Sequence, residues 1–107
     1  MNAPLEIVLA ELRSRLQTVF GQRLDRVILF GSRARGDADP DSDIDVMIVL
    51  KEPSEAIGLD RDRCSVVTAD ISLKYGAVIS TILTDDGRLA RSGLPLYRNV
   101  RREGVVV

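Results

Sequence analysis

The sequence predicts a two-layer α+β fold, a small mixed β-sheet of three to four strands with helices packed on it, and three observations carry that prediction. The N-terminal segment has an apolar stripe at helical spacing, three later runs are β-rich and of strand length, and a helical stripe separates the second run from the third. At 107 residues the chain has room for one domain, 1–107, with a core of useful size.

Leu5, Val8, Leu9, Leu12, Leu16, Val19 and Phe20 recur at i, i+3, i+4, i+7, i+11, i+14 and i+15, which makes a one-faced helix that Gly21 ends. Arg26 to Phe30 reads as a buried strand stopping at Gly31-Ser32. A polar stretch with Gly36 and Pro40 leads to a second buried strand, Ile44 to Leu50, which Pro53 closes. Between Leu59 and Tyr75, Val66-Val67-Thr68 favours a strand locally, yet Cys64, Val67, Ile71 and Tyr75 form a stripe at helical spacing, and the stripe predicts a helix. Lys74 and Gly76 suit its C-terminal end. Ala77 to Leu83 is the third strand. Leu89, Leu94, Leu96, Tyr97 and Val100 then suggest short helices around Gly93 and Pro95, with Val105 to Val107 as an apolar tail.

Composition removes several classes of function. Hydrophobic residues at 45% and charged residues at 29% exclude a disordered or fibrous chain. A net charge of -1 gives no general attraction to phosphate backbones, and two Phe, two Tyr and no Trp offer no stacking platform, so nucleic acid is not the expected partner. The absence of His excludes Ser-His-Asp and Cys-His catalysis and the commonest zinc ligand. The single Cys64 can form no internal disulfide and reads as a small buried hydrophobe. Lacking a signal peptide or an apolar run of membrane length, the chain is expected in the cytoplasm with no membrane partner.

Chemistry concentrates between Gly31 and Asp45. Asp37, Asp39, Asp41, Asp43 and Asp45 crowd nine positions, and like charges that close call for a cation or full solvation. The first three read as solvated loop residues. Asp43 and Asp45, two apart at the opening of a strand, project from one face, where their oxygens suit a hard cation such as Mg²⁺. Gly31 allows close approach of the backbone to a ligand, and the Ser32 hydroxyl can hold phosphate oxygens. Arg33 and Arg35 can pair with the aspartates or touch a triphosphate. Tyr97, Arg98, Arg101 and Arg102 read as a solvated helix face.

Gly31-Ser32, ten residues, then Asp43-Ile44-Asp45, with Ser42 before them, resembles the signature of the DNA polymerase beta-like nucleotidyltransferase superfamily, in particular its minimal nucleotidyltransferases. Leu96 to Gly104 also looks like the end of such proteins. The resemblance implies that Asp43 and Asp45 are catalytic and hold two Mg²⁺ ions, that Gly31, Ser32, Arg33 and Ser42 bind the nucleotide, and that AMP passes from ATP to a hydroxyl with loss of pyrophosphate. It also implies a HEPN-type toxin as partner, with the chain as antitoxin; homo-oligomerisation stays open. Members usually carry a third carboxylate on the next strand, where this chain offers Ser80, Thr81 and Thr84. Asp70 would qualify only if its segment were not helical, and Asp85 and Asp86 are expected just past the strand. Without that acid, the alternative is a weak or inactive nucleotidyltransferase fold that acts by binding its toxin.

Overall fold

The N-terminal stripe forms helix α1, Leu5–Phe20, which buries Val8, Leu9, Leu12, Leu16 and Phe20, each contributing about 2 kcal/mol. The computed structural model describes residues 4–36 and 42–107. After a 3-10 turn at Gly21–Arg23, strand β1 spans Leu24–Phe30, starting two residues earlier than expected. Leu24 pairs with Leu50, and the register then shifts before Arg26 pairs with Val49. That irregularity hides the start of the strand from a reading based on alternation.

Helix α2, Ser32–Arg35, leads towards strand β2, Ile44–Leu50, which runs antiparallel to β1. Helix α3, Ile57–Tyr75, resolves the ambiguous segment as helical. Its Cys64, Val67 and Ile71 are buried together, while Val66 stays exposed, so tertiary packing along the stripe outweighs the local β-preference. Gly76 adopts φ 64° and ψ 35°, and Ala77 N–H still bonds Ser72 O at 3.2 Å. This cap consumes Ala77 and delays the parallel strand β3 to Ile79–Asp85.

Helices α4, Asp86–Arg91, and α5, Pro95–Glu103, follow, and the apolar tail joins the sheet as β4, Val105–Val106, beside Leu29 and Ile28. The strand order is β3-β2-β1-β4. This is the mixed α+β class expected, with both sheet faces covered. Val27, Leu29, Val46 and Ile48 pack under α1 and α3, and Ile28, Met47 and Val49 pack under Leu89, Tyr97 and Val100. Consecutive rather than alternating apolar residues in β1 and β2 demand that second cover. Among the described residues no helix is long and apolar enough to cross a membrane.

Candidate active site

Asp45 is the second residue of β2, a central strand, where its register partners are Phe30 on β1 and Ser80 on β3. Period-two alternation puts Asp45 on the face of Met47 and Val49, beneath α5, and Asp43 has the same parity just before the strand begins. Asp43 is exposed and Asp45 half-buried. Among the described residues neither carboxylate accepts a hydrogen bond. Burial, and then the negative charge of Asp43, push the Asp45 carboxyl above its ordinary value of 3.8. A carboxylate held in that state gains from any cation placed between the pair.

Gly31 follows the last residue of β1 and lies against Asp45. Its φ of 76° lies in the region that favours glycine, and a Cβ built there would stand 2.6 Å from Asp45 Oδ2. Backbone and carboxylate therefore approach at a distance no other residue permits. Gly31 O accepts from Ala34 N–H at 3.1 Å and from Arg35 N–H at 3.2 Å, and Gly36, at φ 79°, closes the single turn of α2. Ser32, half-buried, begins that turn immediately after Gly31.

Arg33 directs Nε, at 3.2 Å, and Nη2, at 2.9 Å, to the carbonyl of Ser42. The two expected nucleotide contacts thus meet each other, bracing the chain one residue before Asp43. Arg35 reaches Glu103 at 3.5 Å and ties α2 to α5. Asp37, Asp39 and Asp41 lie outside the described residues. Gly31, Ser32, Ser42, Asp43 and Asp45 accordingly share one end of the sheet, and the chemistry available there is two hard oxygen ligands beside a close-approach backbone. That donor set fits Mg²⁺, which keeps waters and phosphate oxygens in its remaining positions.

None of the three candidate third acids reaches the pair. Asp70 belongs to α3 and bonds Arg15 at 3.0 Å. Asp85 is the last residue of β3 rather than beyond it, but it pairs with Leu50 at the opposite end and caps α4 through Arg88 N–H at 2.9 Å. Asp86 pairs with Arg26. The register partner of Asp45 is the exposed Ser80. Among the described residues no three His, Cys, Asp or Glu side chains gather to hold a metal ion.

A second polar cluster was missed by sequence reasoning. Asp60, 1% exposed, accepts from Arg23, Arg63 and Ser54 beside a cavity of about 550 Å³. Chiefly through Arg23, these donors hold its carboxyl down to about 2. The available signal was its position four residues before Cys64, where a charge continues an apolar stripe.

Residues 8–92 match the model of the nucleotidyltransferase domain family. A Methanocaldococcus jannaschii protein named "Putative protein adenylyltransferase" is 40% identical over 71% of this chain and 75% of its own length. A structure described as a "putative minimal nucleotidyltransferase" superposes with a TM-score of 0.60 at 23% identity, covering 98% of this chain and 97% of that one. A toxin-antitoxin crystal structure with AMP-PNP gives a TM-score of 0.60 at 18% identity, covering 96% of this chain and 72% of that one. At those identities the two structures speak for the fold.

Proposed function

Because the chain belongs to the nucleotidyltransferase domain family, we propose that it transfers AMP from ATP, with Mg²⁺, to a hydroxyl of a partner protein, and that this partner is a HEPN-type toxin which the chain restrains as its antitoxin. The observation that carries this reading is the Asp45 carboxylate set against the positive-φ backbone of Gly31, with Asp43 two residues before it and neither carboxylate hydrogen-bonded among the described residues. The protein-directed acceptor is supported by the name of the relative at 40% identity, and the toxin by the structural neighbour that is a toxin-antitoxin complex with AMP-PNP.

In this reading Gly31 and Ser32 would receive the triphosphate, and Asp43 and Asp45 would hold the metal. Arg33 keeps the second aspartate's strand in place by gripping Ser42 O. When bound, Mg²⁺ neutralises phosphate charge and lowers the pKa of the acceptor hydroxyl, work that no His is present to do. The acceptor oxygen bonds to the α-phosphorus, the bond to the bridging oxygen breaks, pyrophosphate departs, and the hydroxyl proton passes to water.

Ser80 favours a second reading, because the strand position beside Asp45 carries a hydroxyl where an acid would complete the set. In that case nucleotide is held and the toxin is restrained by binding alone. Labelled ATP incubated with the chain and its toxin separates the two. Label on the toxin, lost in Asp43→Asn with Asp45→Asn, supports transfer; nucleotide binding without label supports the second reading.

A further inference from the structure

We infer that the outer edge of β3 is the docking strand for an extended acceptor segment, one that carries its hydroxyl residue opposite Ser80 and an acidic residue beside it. The inference rests on the protein-acceptor reading above and adds how the acceptor is presented. β3 ends the sheet, and among the described residues no strand pairs with its outer side. Ile44 N–H donates to Val78 O at 2.9 Å while Ile44 is in register with Ile79. Main-chain groups alternate along a strand, so Val78, Ser80, Ile82 and Thr84 turn theirs towards β2. Ile79, Thr81 and Leu83 turn theirs outward. Over seven residues this edge has no proline, and its one charge is the terminal Asp85, whereas exposed edges are normally blunted by charge, proline or a bulge.

Two further features select the occupant. A crevice of about 310 Å³ runs along the edge between Thr81, Ile82 and Leu83 on β3 and Arg61, Cys64 and Ser65 on α3. Arg61 is exposed and, among the described residues, makes no ion pair or hydrogen bond. A second copy of this chain pairing along β3 would lay one Arg61 against the other, so self-pairing is disfavoured and an acidic segment is favoured. In an added strand, the residue opposite Thr81 shares the Arg61 side of the sheet and its neighbour opposite Ser80 shares the Asp45 side. One acid and one adjacent hydroxyl residue thus meet Arg61 and the aspartates together. The added strand lies two strand spacings, about 10 Å, from β2, a gap for a long side chain such as tyrosine and a nucleotide to close from opposite sides. Main-chain pairing supplies affinity in such strand addition, and side chains supply selection.

The test is fluorescence anisotropy with a labelled peptide of about ten residues, rich in Val and Thr, carrying one tyrosine with a glutamate next to it, against a twin with lysine for glutamate. The glutamate peptide is expected to bind at least tenfold tighter. Thr81→Pro, which deletes an outward N–H and spares the β2 ladder, should weaken it at least tenfold, and Arg61→Glu should reverse the preference between the peptides. Equal binding of the twins, no binding of either, or undiminished binding to a Thr81→Pro variant with native melting would overturn the inference. Should Thr81→Pro fail to fold, the reversal in Arg61→Glu, at an exposed helical position, decides alone. The ATP–Mn²⁺ melting shift is read on the same samples. If it is absent while peptide selection persists, the nucleotidyl-transfer reading fails and the docking strand stands.

Discussion

Replacing Asp45 by Asn should stabilise the protein without ligand and abolish its response to metal and nucleotide. Asp43 and Asp45 are two strand residues apart, roughly 7 Å at about 3.3 Å per residue. Two unit charges at that distance repel by about 0.6 kcal/mol in bulk water and about 1.2 kcal/mol at an effective dielectric near 40. Burial of Asp45 adds to the penalty, and the upward displacement of its carboxyl has the same two causes. A gain of about 1 kcal/mol, or about 4 °C in melting temperature, follows for the apo variant. The sign with pH is a further check. A raised folded-state pKa means the favourable contribution is present below the unfolded value of 3.8 and disappears as pH rises through the folded value. The variant's advantage should therefore appear above that value and vanish in acid. With ATP and Mn²⁺ at a hundred times Kd, the wild type should gain about 2.7 kcal/mol and the variant almost none. Differential scanning calorimetry over a pH series, with and without ligand, measures both effects. A variant less stable than wild type at neutral pH, or one keeping the full ligand shift, would refute the reasoning.

Gly31→Ala places a methyl 2.6 Å from Asp45 Oδ2 in a left-handed backbone conformation; ATP–Mn²⁺ affinity should fall more than tenfold, about 1.4 kcal/mol, by calorimetric titration, with the fold retained by circular dichroism. Ser80→Asp installs a carboxylate beside Asp45 in the register; it should tighten Mn²⁺ binding several-fold and lower apo stability by about 1 kcal/mol, and unchanged metal affinity would remove Ser80 from the site. The Asp60 carboxyl, held at about 2 against an ordinary 3.8, contributes stability that is complete above 3.8 and lost as pH falls towards 2, roughly 2 kcal/mol in all. Asp60→Ala should cost about 2 kcal/mol in urea unfolding at pH 7, since the half-exposed Arg23 and Arg63 can turn to solvent, and should flatten the acid limb of the stability profile.

Long stripes and spaced motifs were legible in the chain; pairing partners were not. The Leu5–Phe20 helix follows from its stripe, of which Val8, Leu9, Leu12, Leu16 and Phe20 are buried while Val19 is exposed, and the Ile44–Leu50 strand follows from a nearly unbroken apolar run rather than from a period. Gly31 and Asp45 stand fourteen residues apart in the chain, and their places at the end of one strand and the opening of the next, with the resemblance to the nucleotidyltransferase signature, put them at one site. What spacing could not show is that β3 begins at Ile79, because the Gly76 cap is settled by a hydrogen bond from Ala77 back to Ser72. Nor could it show that Asp85 sits opposite Leu50, since register in a parallel pair depends on the crossover helix. Arg33 illustrates the same limit. Its charge marked it for phosphate, whereas its Ser42 partner is a main-chain carbonyl nine positions on. Val105–Val106 is too short for a strand pattern and becomes one through β1, an interaction written in a distant segment.

The two tyrosines lie on opposite faces of the sheet, Tyr75 bonded to Glu11 at 3.0 Å among the α1 and α3 side chains, and Tyr97 bonded to Thr84 at 2.9 Å beneath α5. With no Trp in the chain, emission excited in the tyrosine band, where Phe does not absorb, comes from these two phenols. Each therefore works as a native spectroscopic label for one half of the interior, and Tyr75→Phe or Tyr97→Phe silences one channel at a time. Because β2 contributes side chains to both halves, their transitions in denaturant should coincide. A Tyr97 signal that melts first would mark the α4–α5 cover as a separately folding lid on an otherwise intact sheet.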